Sequence, residues 1–512
     1  MSNSSVGRFC LVLHTHLPWL LHHGSWPVGE EWLYQSWAHA YLPVIDVLTR
    51  LGDAGYRDLI TLGVTPIVND QLDDAYAIRE FGTWLAFWQL RAQYAATRPE
   101  DHVRAAAARE FRGAQWALEQ WAGPWSAGAS PLLRKLSDAG VVELLGGPAA
   151  HPFQPLLRES IAAFSLETGL NDSTVRWGHR PRGIWAPECG YRPGLEQLYA
   201  AHGVSHFMVD GPTLQGVGAS PADAWTIGTS DVVAFGRDLE VAYRVWSPKS
   251  GYPGKPWYRD FHTFDHPTGL RPMRVTNKRT PSELKRPYDP ERAARAAFDD
   301  AVDFVDVVRG RLIALADQRD GKPATVVAAY DTELFGHWWH EGPLWLEHVL
   351  KLLPEAGVHV TTLSGAIADG AVAGAATPGP GSWGSGKDWR VWSGPQVADV
   401  VKQHDALQDR FVGLVEKRVT SHNDVARDPV SDQLARQLLL ALSSDWAFMV
   451  TKDSAAGYAR DRAHGHLSDF ARIAEAVAAR DESAARAEVT RQHIYDNPLP
   501  HLRVRTSRGD LG

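Results

Sequence analysis

Between Ala328 and Gly342 the chain reads AAYDTELFGHWWHEG, which sets two carboxylates, Asp331 and Glu333, directly behind the apolar run Thr325 to Tyr330. His337, Trp338, Trp339 and His340 follow at once. An apolar run that ends in acids reads as a strand delivering them into a cleft, and strand ends are where parallel α/β barrels keep their chemistry. The neighbours suggest the substrate: indole faces cover the C–H surface of a sugar ring, while carboxylates and imidazoles hold its hydroxyls. A buried strand leading into a Trp-rich helix start accounts for the same letters without chemistry. Three other apolar runs, however, also lead to reactive side chains. Arg8 to Leu13 runs into His14-Thr15-His16, VVELLGG stops just short of His151, and Gly183 to Ala186 leads to Pro187-Glu188-Cys189.

Two carboxylates from different strands are what retaining glycosidic chemistry needs, one to attack the anomeric carbon and one to protonate the departing oxygen. Glu188 is the expected nucleophile and Asp331 the expected acid/base, with carboxyl groups about 5 to 5.5 Å apart. Glu333 takes a supporting place because it has no partner strand. The histidines permit a second reading. A His-x-His pair with a later His and an Asp is also how barrel hydrolases and deacetylases gather a divalent cation that activates water. Core imidazoles bonded to backbone carbonyls are a third reading. Cys189 lacks the Cys-His-Asn pattern of a nucleophile and reads as a small packing residue.

The elements that must position these ends alternate along the chain. After the first strand come a helix around Leu42 to Leu51, a strand from Leu59 to Val64, and a long helical region from about Ala75 to Trp121. A helix-turn-strand unit spans Pro131 to Gly147, and Leu195 to Gly203 and His206 to Asp210 read as helix and strand. From about Asp210 to Pro287 the composition turns to Gly, Pro, Tyr and Trp with short β-like pieces at Leu239 to Trp246 and Pro272 to Thr276, so this stretch reads as an insertion over one face. Asp289-Pro290-Glu291 starts a helix, Thr325 to Tyr330 is a sixth strand and Val358 to Leu363 a seventh. Such alternation implies a parallel sheet. Beyond Ala368, GAVAGAATPGPGSWGSG reads as a linker, the remainder as helices, and the tail from Asn497 as loosely held. The expected division is therefore 1-209 for the first part of the barrel, 210-287 for the insertion, 288-395 for the second part with the linker, and 396-512 for a helical domain.

Bulk properties exclude several partners. A hydrophobic fraction of 44% and a charged fraction of 22% describe an ordinary globular chain, so disorder is not expected over most of the 512 residues. The 21 tryptophans are excessive for a core, since each indole N–H wants a partner, and fit a long saccharide cleft better. A net charge of −8 offers no basic surface to a nucleic acid or an anionic membrane. The apolar run of the N-terminal MSNSSVGRFCLVLHTHLP is too short for a signal peptide or a membrane span, which makes the expected location cytoplasmic. Two cysteines argue against a disulfide scaffold and a Cys-rich zinc site.

Together the motifs resemble glycoside hydrolase family 57, and within it the members that branch α-glucans. His14-Thr15-His16-Leu17-Pro18 looks like the family's first motif, and Gly147 to Leu157, with His151, like a looser second one. Trp185-Ala186-Pro187-Glu188-Cys189-Gly190-Tyr191 is similar to the third, which carries the nucleophile, and Tyr330 to Trp339 nearly copies the fourth, which carries the acid/base. Ser443-Ser444-Asp445-Trp446 resembles the fifth. The resemblance implies an α/β fold, an incomplete (β/α)7 barrel with an inserted loop region and a C-terminal α-helical domain, acting without metal or other cofactor through a covalent glucosyl-enzyme. It makes His14, His16, His151, Trp185 and His337 sugar-site residues, Trp383, Trp392 and Trp446 cleft tryptophans, and Asp445 a ligand of a sugar hydroxyl. Arg259 and Arg271 become contacts from the insertion. Val245 to Gly254 resembles the covering loop of the branching members, with Tyr252 at its tip. The implied partners are α-1,4-glucan donor and acceptor, with no nucleic acid and no membrane, for a monomer or small homo-oligomer. The activity implied is transfer of a glucan to a 6-hydroxyl, with 4-α-glucanotransferase and α-amylase chemistry as alternatives inside the family. A metal-dependent deacetylase and a non-catalytic glucan-binding protein are the alternatives outside it.

Overall fold

The computed structural model describes residues 5–247, 249–419 and 427–504. Its strands, in chain order, are β1 (Arg8–Thr15), β2 (Ile60–Val64), β3 (Val142–Leu145), β4 (Gly183–Ile184), β5 (His206–Asp210), β6 (Ala224–Ile227), β7 (Val233–Arg237), β8 (Thr325–Asp331), β9 (His359–Val360) and β10 (Val372–Ala376).

Seven of them form a ring. β1 pairs in parallel with β2, and β2 with β3. A parallel bridge between Gly146 and Ile184, with the Trp185 N–H donating to Gly146 O, carries the order on to β4. β4 pairs with β5 and β5 with β7, again in parallel. The Asp238 N–H donates to Val327 O at 2.8 Å and brings β7 against β8, which returns to β1 with His14 opposite Asp331. Because the strands run the same way, their C-terminal ends share one rim. Alternation along β1 separates two cores with the period of a strand. Phe9, Leu11 and Leu13 pack outward with Trp37, Phe304 and Trp345. Cys10 and Val12 face inward with Met208, Phe235, Val327 and Cys189.

The structure is thus the incomplete (β/α)7 barrel with a helical C-terminal region, but one of the seven strands is not the one expected. Val358 to Leu363 supplies only the short β9 beside the start of β1, followed by a helix from Leu363. The missing member is β7, inside the stretch read as an insertion, where VAFGR is short and carries Gly236 at a strand position. β6 pairs antiparallel with β7, and β10, from the stretch read as linker, adds to β6. Leu239 to Trp246 is not β-like: Leu239–Val245 is a helix, since the Asp238 side chain accepts the Val241 N–H at its start and Val241 and Val245 bury one face. Pro272 to Thr276 makes only isolated bridges, including Arg259 with Arg274. The long helical region is two helices, Ala75–Ala95 and Asp101–Ala122. At the C-terminus the tail is held as far as residue 504: the Leu499 N–H donates to Asp70, and Leu499 and Leu502 are buried. Residues 505–512 lie outside the described residues. Among the described residues no helix is long and apolar enough to cross a membrane.

Candidate active site

Past β4 the chain turns through Pro187-Glu188-Cys189, where Glu188 and Cys189 take left-handed φ values of 63° and 49°. Such a conformation costs a non-glycine residue about 1–3 kcal/mol and persists only where neighbours impose it. Here the Trp383 N–H donates to Glu188 O at 2.8 Å, and the Cys189 N–H donates to Ala186 O. Both carboxylate oxygens of Glu188 also receive a donor, Oε1 from the Ser444 hydroxyl and Oε2 from the Trp383 indole N–H, each at 2.8 Å. Burial lifts the Glu188 pKa to about 7 against these two donors.

The end of β1 brings the histidines to the same place. His14 Nε2 lies 3.1 Å from His151 Nε2, the His16 ring stacks on His151 at 3.7 Å, and the His14 ring stacks on Trp185 at 4.3 Å. Burial holds His14 and His151 well below the ordinary imidazole range, so both are neutral. His16 bonds to Asp445 at 2.8 Å and to the Thr65 hydroxyl at 3.0 Å. Although burial raises the Asp445 carboxyl, His16 and the Ser443 hydroxyl hold it down at about 2. His16, His151 and Asp445 place ligand atoms within 4.8 Å of one another, so they could approach a cation. Those atoms already pair among themselves or with His14 and Ser444, bonds that a cation would have to replace.

Asp331 ends β8, beside His14 in register, and burial lifts its pKa to about 6 with His16 and Arg237 opposing. Among the described residues no donor bonds its carboxyl. Glu333 differs: its Oε1 accepts from the Tyr41 hydroxyl at 2.5 Å and from the His16 N–H at 3.2 Å, which makes it a brace for the β1 end.

The structure therefore gathers Glu188, Asp331, His14, His16, His151, Trp185, Trp383 and Asp445. Of the other expected residues, Trp392 sits behind the cluster, packed with Trp383 and lining a cavity with Ser443 and Ser444, and the rest make other contacts. Tyr252 is at no loop tip: it is 1% exposed, its hydroxyl donates to Asp303, and it packs on Trp339 and Trp345. Trp446 is buried with its N–H on Leu440 O, and Trp392 is buried against Phe153 at 4.6 Å. Arg259 pairs with Glu110, and together with Arg271 it lines a separate polar cavity with His39, Trp84 and Trp88. His337 packs on Phe261 at the edge of that region.

Several side chains escaped the sequence reading. Ser444 stands inside the motif Ser443-Ser444-Asp445-Trp446 but receives no role of its own there. Asp210 accepts from Arg237 at 2.9 Å and forms an ion pair with Lys387 at 2.7 Å, and the Arg237 guanidinium lies 5.3 Å from the centre of the Trp383 ring, whose N–H donates to Glu188. Tyr243, 42% exposed, has its ring 5.8 Å from Lys387 Nζ, one side chain away from Trp383. Its signal was lost because Leu239 to Trp246 had been read as β-like.

Two buried carboxyls, neutral imidazoles and an aromatic wall are fitted to glycosyl transfer. Residues 10–374 match the family described as glycosyl hydrolase family 57, and residues 403–506 match the description 1,4-alpha-glucan branching enzyme, C-terminal. A probable 1,4-alpha-glucan branching enzyme of Mycobacterium tuberculosis is 56% identical over 498 residues, covering 94% of each chain. Among solved structures, the GH57-type branching enzyme of Pyrococcus horikoshii superposes with a TM-score of 0.90 at 30% identity, covering 97% of this chain and 96% of that one. The α-amylase AmyC of Thermotoga maritima superposes with a TM-score of 0.86 at 25% identity, covering 97% and 98%.

Proposed function

The chain belongs to glycoside hydrolase family 57, and we propose that it works on α-glucans by double displacement, with Glu188 as nucleophile and Asp331 as acid/base. It is a 1,4-α-glucan branching enzyme. The observation that carries the mechanism is the meeting of the β4 and β8 ends, with their two carboxyls, around one cluster of β1 histidines.

In the first half, Glu188 attacks the anomeric carbon, the bond to the glycosidic oxygen breaks, and Asp331 gives that oxygen its proton. In the second, Asp331 takes the proton of a glucan 6-hydroxyl, which attacks the same carbon and releases Glu188. The carboxyls suit these roles through their surroundings. Glu188 has two donors that favour its anion, and the positive charge growing on the sugar lowers its pKa further. Asp331 has none, and a glucan that displaces water around it favours its protonated form. Asp445, oriented by His16, holds sugar hydroxyls, His14 and His151 stand behind Glu188, and Trp185 and Trp383 form the wall.

Transfer in place of hydrolysis requires that water be kept from the covalent intermediate. Tyr243 on its helix, standing beside Lys387, is the residue we assign to that cover, in place of Tyr252. Cytoplasmic location fits Cys10 and Cys189, which are buried and unpaired, and a monomer or small homo-oligomer is the assembly we propose. Incubation with amylose should create α-1,6 linkages, read by proton NMR, without a matching rise in reducing ends. Reducing ends that rise with every cleavage would mean an amylase, and redistributed α-1,4 chains alone a 4-α-glucanotransferase.

A further inference from the structure

Polar groups sealed from water have to be paired, so the hydrogens of a buried chain of side chains can be counted. One such chain stands behind Glu188. His14 Nε2 lies 3.1 Å from His151 Nε2, His151 Nδ1 lies 2.9 Å from Ser444 Oγ, and Ser444 Oγ lies 2.8 Å from Glu188 Oε1. At the far end His14 Nδ1 is buried and has no partner among the described residues. With hydrogens on His14 Nε2, His151 Nδ1 and Ser444 Oγ, each donor meets an acceptor, and the unpartnered atom is a bare nitrogen. The opposite order needs a proton on Glu188 and leaves an N–H on His14 Nδ1 facing nothing, the rarer and costlier defect. The chain therefore has a direction, and it ends on the carboxylate.

The backbone fixes the link at its centre. The Ser444 N–H donates to His151 O at 3.0 Å, and Ser443 forms an antiparallel bridge with Pro152. His151 itself sits at φ 55°. These bonds clamp the start of the helix Ser444–Lys452 to the loop that carries His151. We infer that Ser444 is a positioning residue of the branching reaction, the centre of a one-way hydrogen-bond relay from His14 through His151 that holds Glu188 as an oriented anion. The C-terminal helical region thus completes the nucleophile and does not merely cover it. No proton moves along the relay in the glycosyl-transfer step: Glu188 bonds to the anomeric carbon, the glycosidic bond breaks, and the leaving oxygen takes its proton from Asp331.

The inference rests on Glu188 being the nucleophile, and the test separates the two claims. A maltosyl fluoride donor is used, because fluoride leaves without a proton and the acid limb of kcat/KM then reports Glu188 without Asp331. The charged groups that act on Glu188 are Asp445, from the Ser444–Lys452 helix, and His16, from β1, with His151 reaching it through Ser444, while Arg237, Asp210 and Lys387 act on the adjoining Cys189. Ser444→Ala leaves all of them in place, so a shift reads the lost hydroxyl. A hydrogen bond to a charged group supports a shift of the limb by about one to two pH units upward, with the rate recovering above it. Ser444→Thr, which keeps the hydroxyl, should return the limb to its original pH. A folded Ser444→Ala protein with an unmoved limb would overturn the relay while Glu188→Gln, if dead at every pH, still upheld the nucleophile. An active Glu188→Gln would instead overturn the nucleophile. Should Ser444→Ala fail to fold, Ser444→Cys, a weaker donor, has to raise the limb as well, and an unmoved limb there counts against the relay in the same way.

Discussion

Replacing Tyr252 with alanine should cost this protein stability rather than chemistry. The ring is 1% exposed, its centre lies 6.1 Å from that of Trp345 and 6.3 Å from that of Trp339, and Lys255 Nζ stands 4.8 Å from it. Deleting a buried aromatic ring costs about 3–5 kcal/mol, the spread reflecting how far the site collapses. The hydroxyl contributes less. It donates to Asp303 at 2.5 Å, but Asp303 keeps two bonds from Arg244, at 2.8 and 2.7 Å, when the hydroxyl goes. Its removal leaves no orphaned charge, so about 1 kcal/mol is expected for Tyr252→Phe and about 5 kcal/mol for Tyr252→Ala. In urea unfolding followed by tryptophan fluorescence, the alanine variant should unfold at a clearly lower midpoint than the parent and Tyr252→Phe close to it. Tyr243→Ala, at a half-exposed position, should stay within about 0.5 kcal/mol of the parent, yet raise the share of donor lost to hydrolysis. A Tyr252→Ala protein that unfolds at the parent midpoint but no longer branches would refute this reasoning. It would place Tyr252 at a working loop tip after all.

Glu188→Gln and Asp331→Asn should each fold normally and lose turnover, the second by about 10²–10⁴-fold as expected for removing a general acid. Azide should restore glycosyl azide formation to Glu188→Ala, and no rescue at any concentration counts against its covalent role. The pH profile on amylose should be a narrow bell. Glu188 has to be charged and Asp331 protonated, and with pKa values of about 7 and about 6 the product of the two fractions peaks between those values, so activity is lost as pH falls below about 6 and as it rises above about 7. Only a minor fraction of the protein then carries the working pair, and a broad plateau from acid to alkaline pH would contradict these assignments. Dialysis against EDTA should leave branching intact, whereas loss restored by a divalent cation would revive a metal role for His16, His151 and Asp445. Trp446→Ala should lower the unfolding midpoint, since that indole is buried with its N–H on Leu440 O.

The barrel was legible because its strands are apolar on both faces and stop at side chains that could do chemistry: FCLVLHTH, GIWAPE and VVAAYD each carry strand and reagent together. Where a strand lacks that signature, the reading failed. β7 is short, holds a glycine, and ends in Arg237, which meets Asp210 and the Trp383 ring. Aromatic identity alone did not show that Tyr252, Trp392 and Trp446 are buried. An indole or phenol next to Gly and Pro looks like a cleft residue, and only packing shows that Trp345, Phe153 and Leu440 have already claimed it. Ser444 shows the converse. A serine at a helix start satisfies every local rule, and its bond to Glu188 spans 256 positions, a relation that no period or motif spacing encodes.

The most direct test of the central claim is to trap the covalent intermediate. Incubation with 5-fluoro-α-glucosyl fluoride, followed by proteolysis and mass spectrometry, should place one glycosyl label on Glu188 and abolish branching in proportion to labelling. A label on Asp331 or Glu333, or continued turnover by fully labelled protein, would contradict the account.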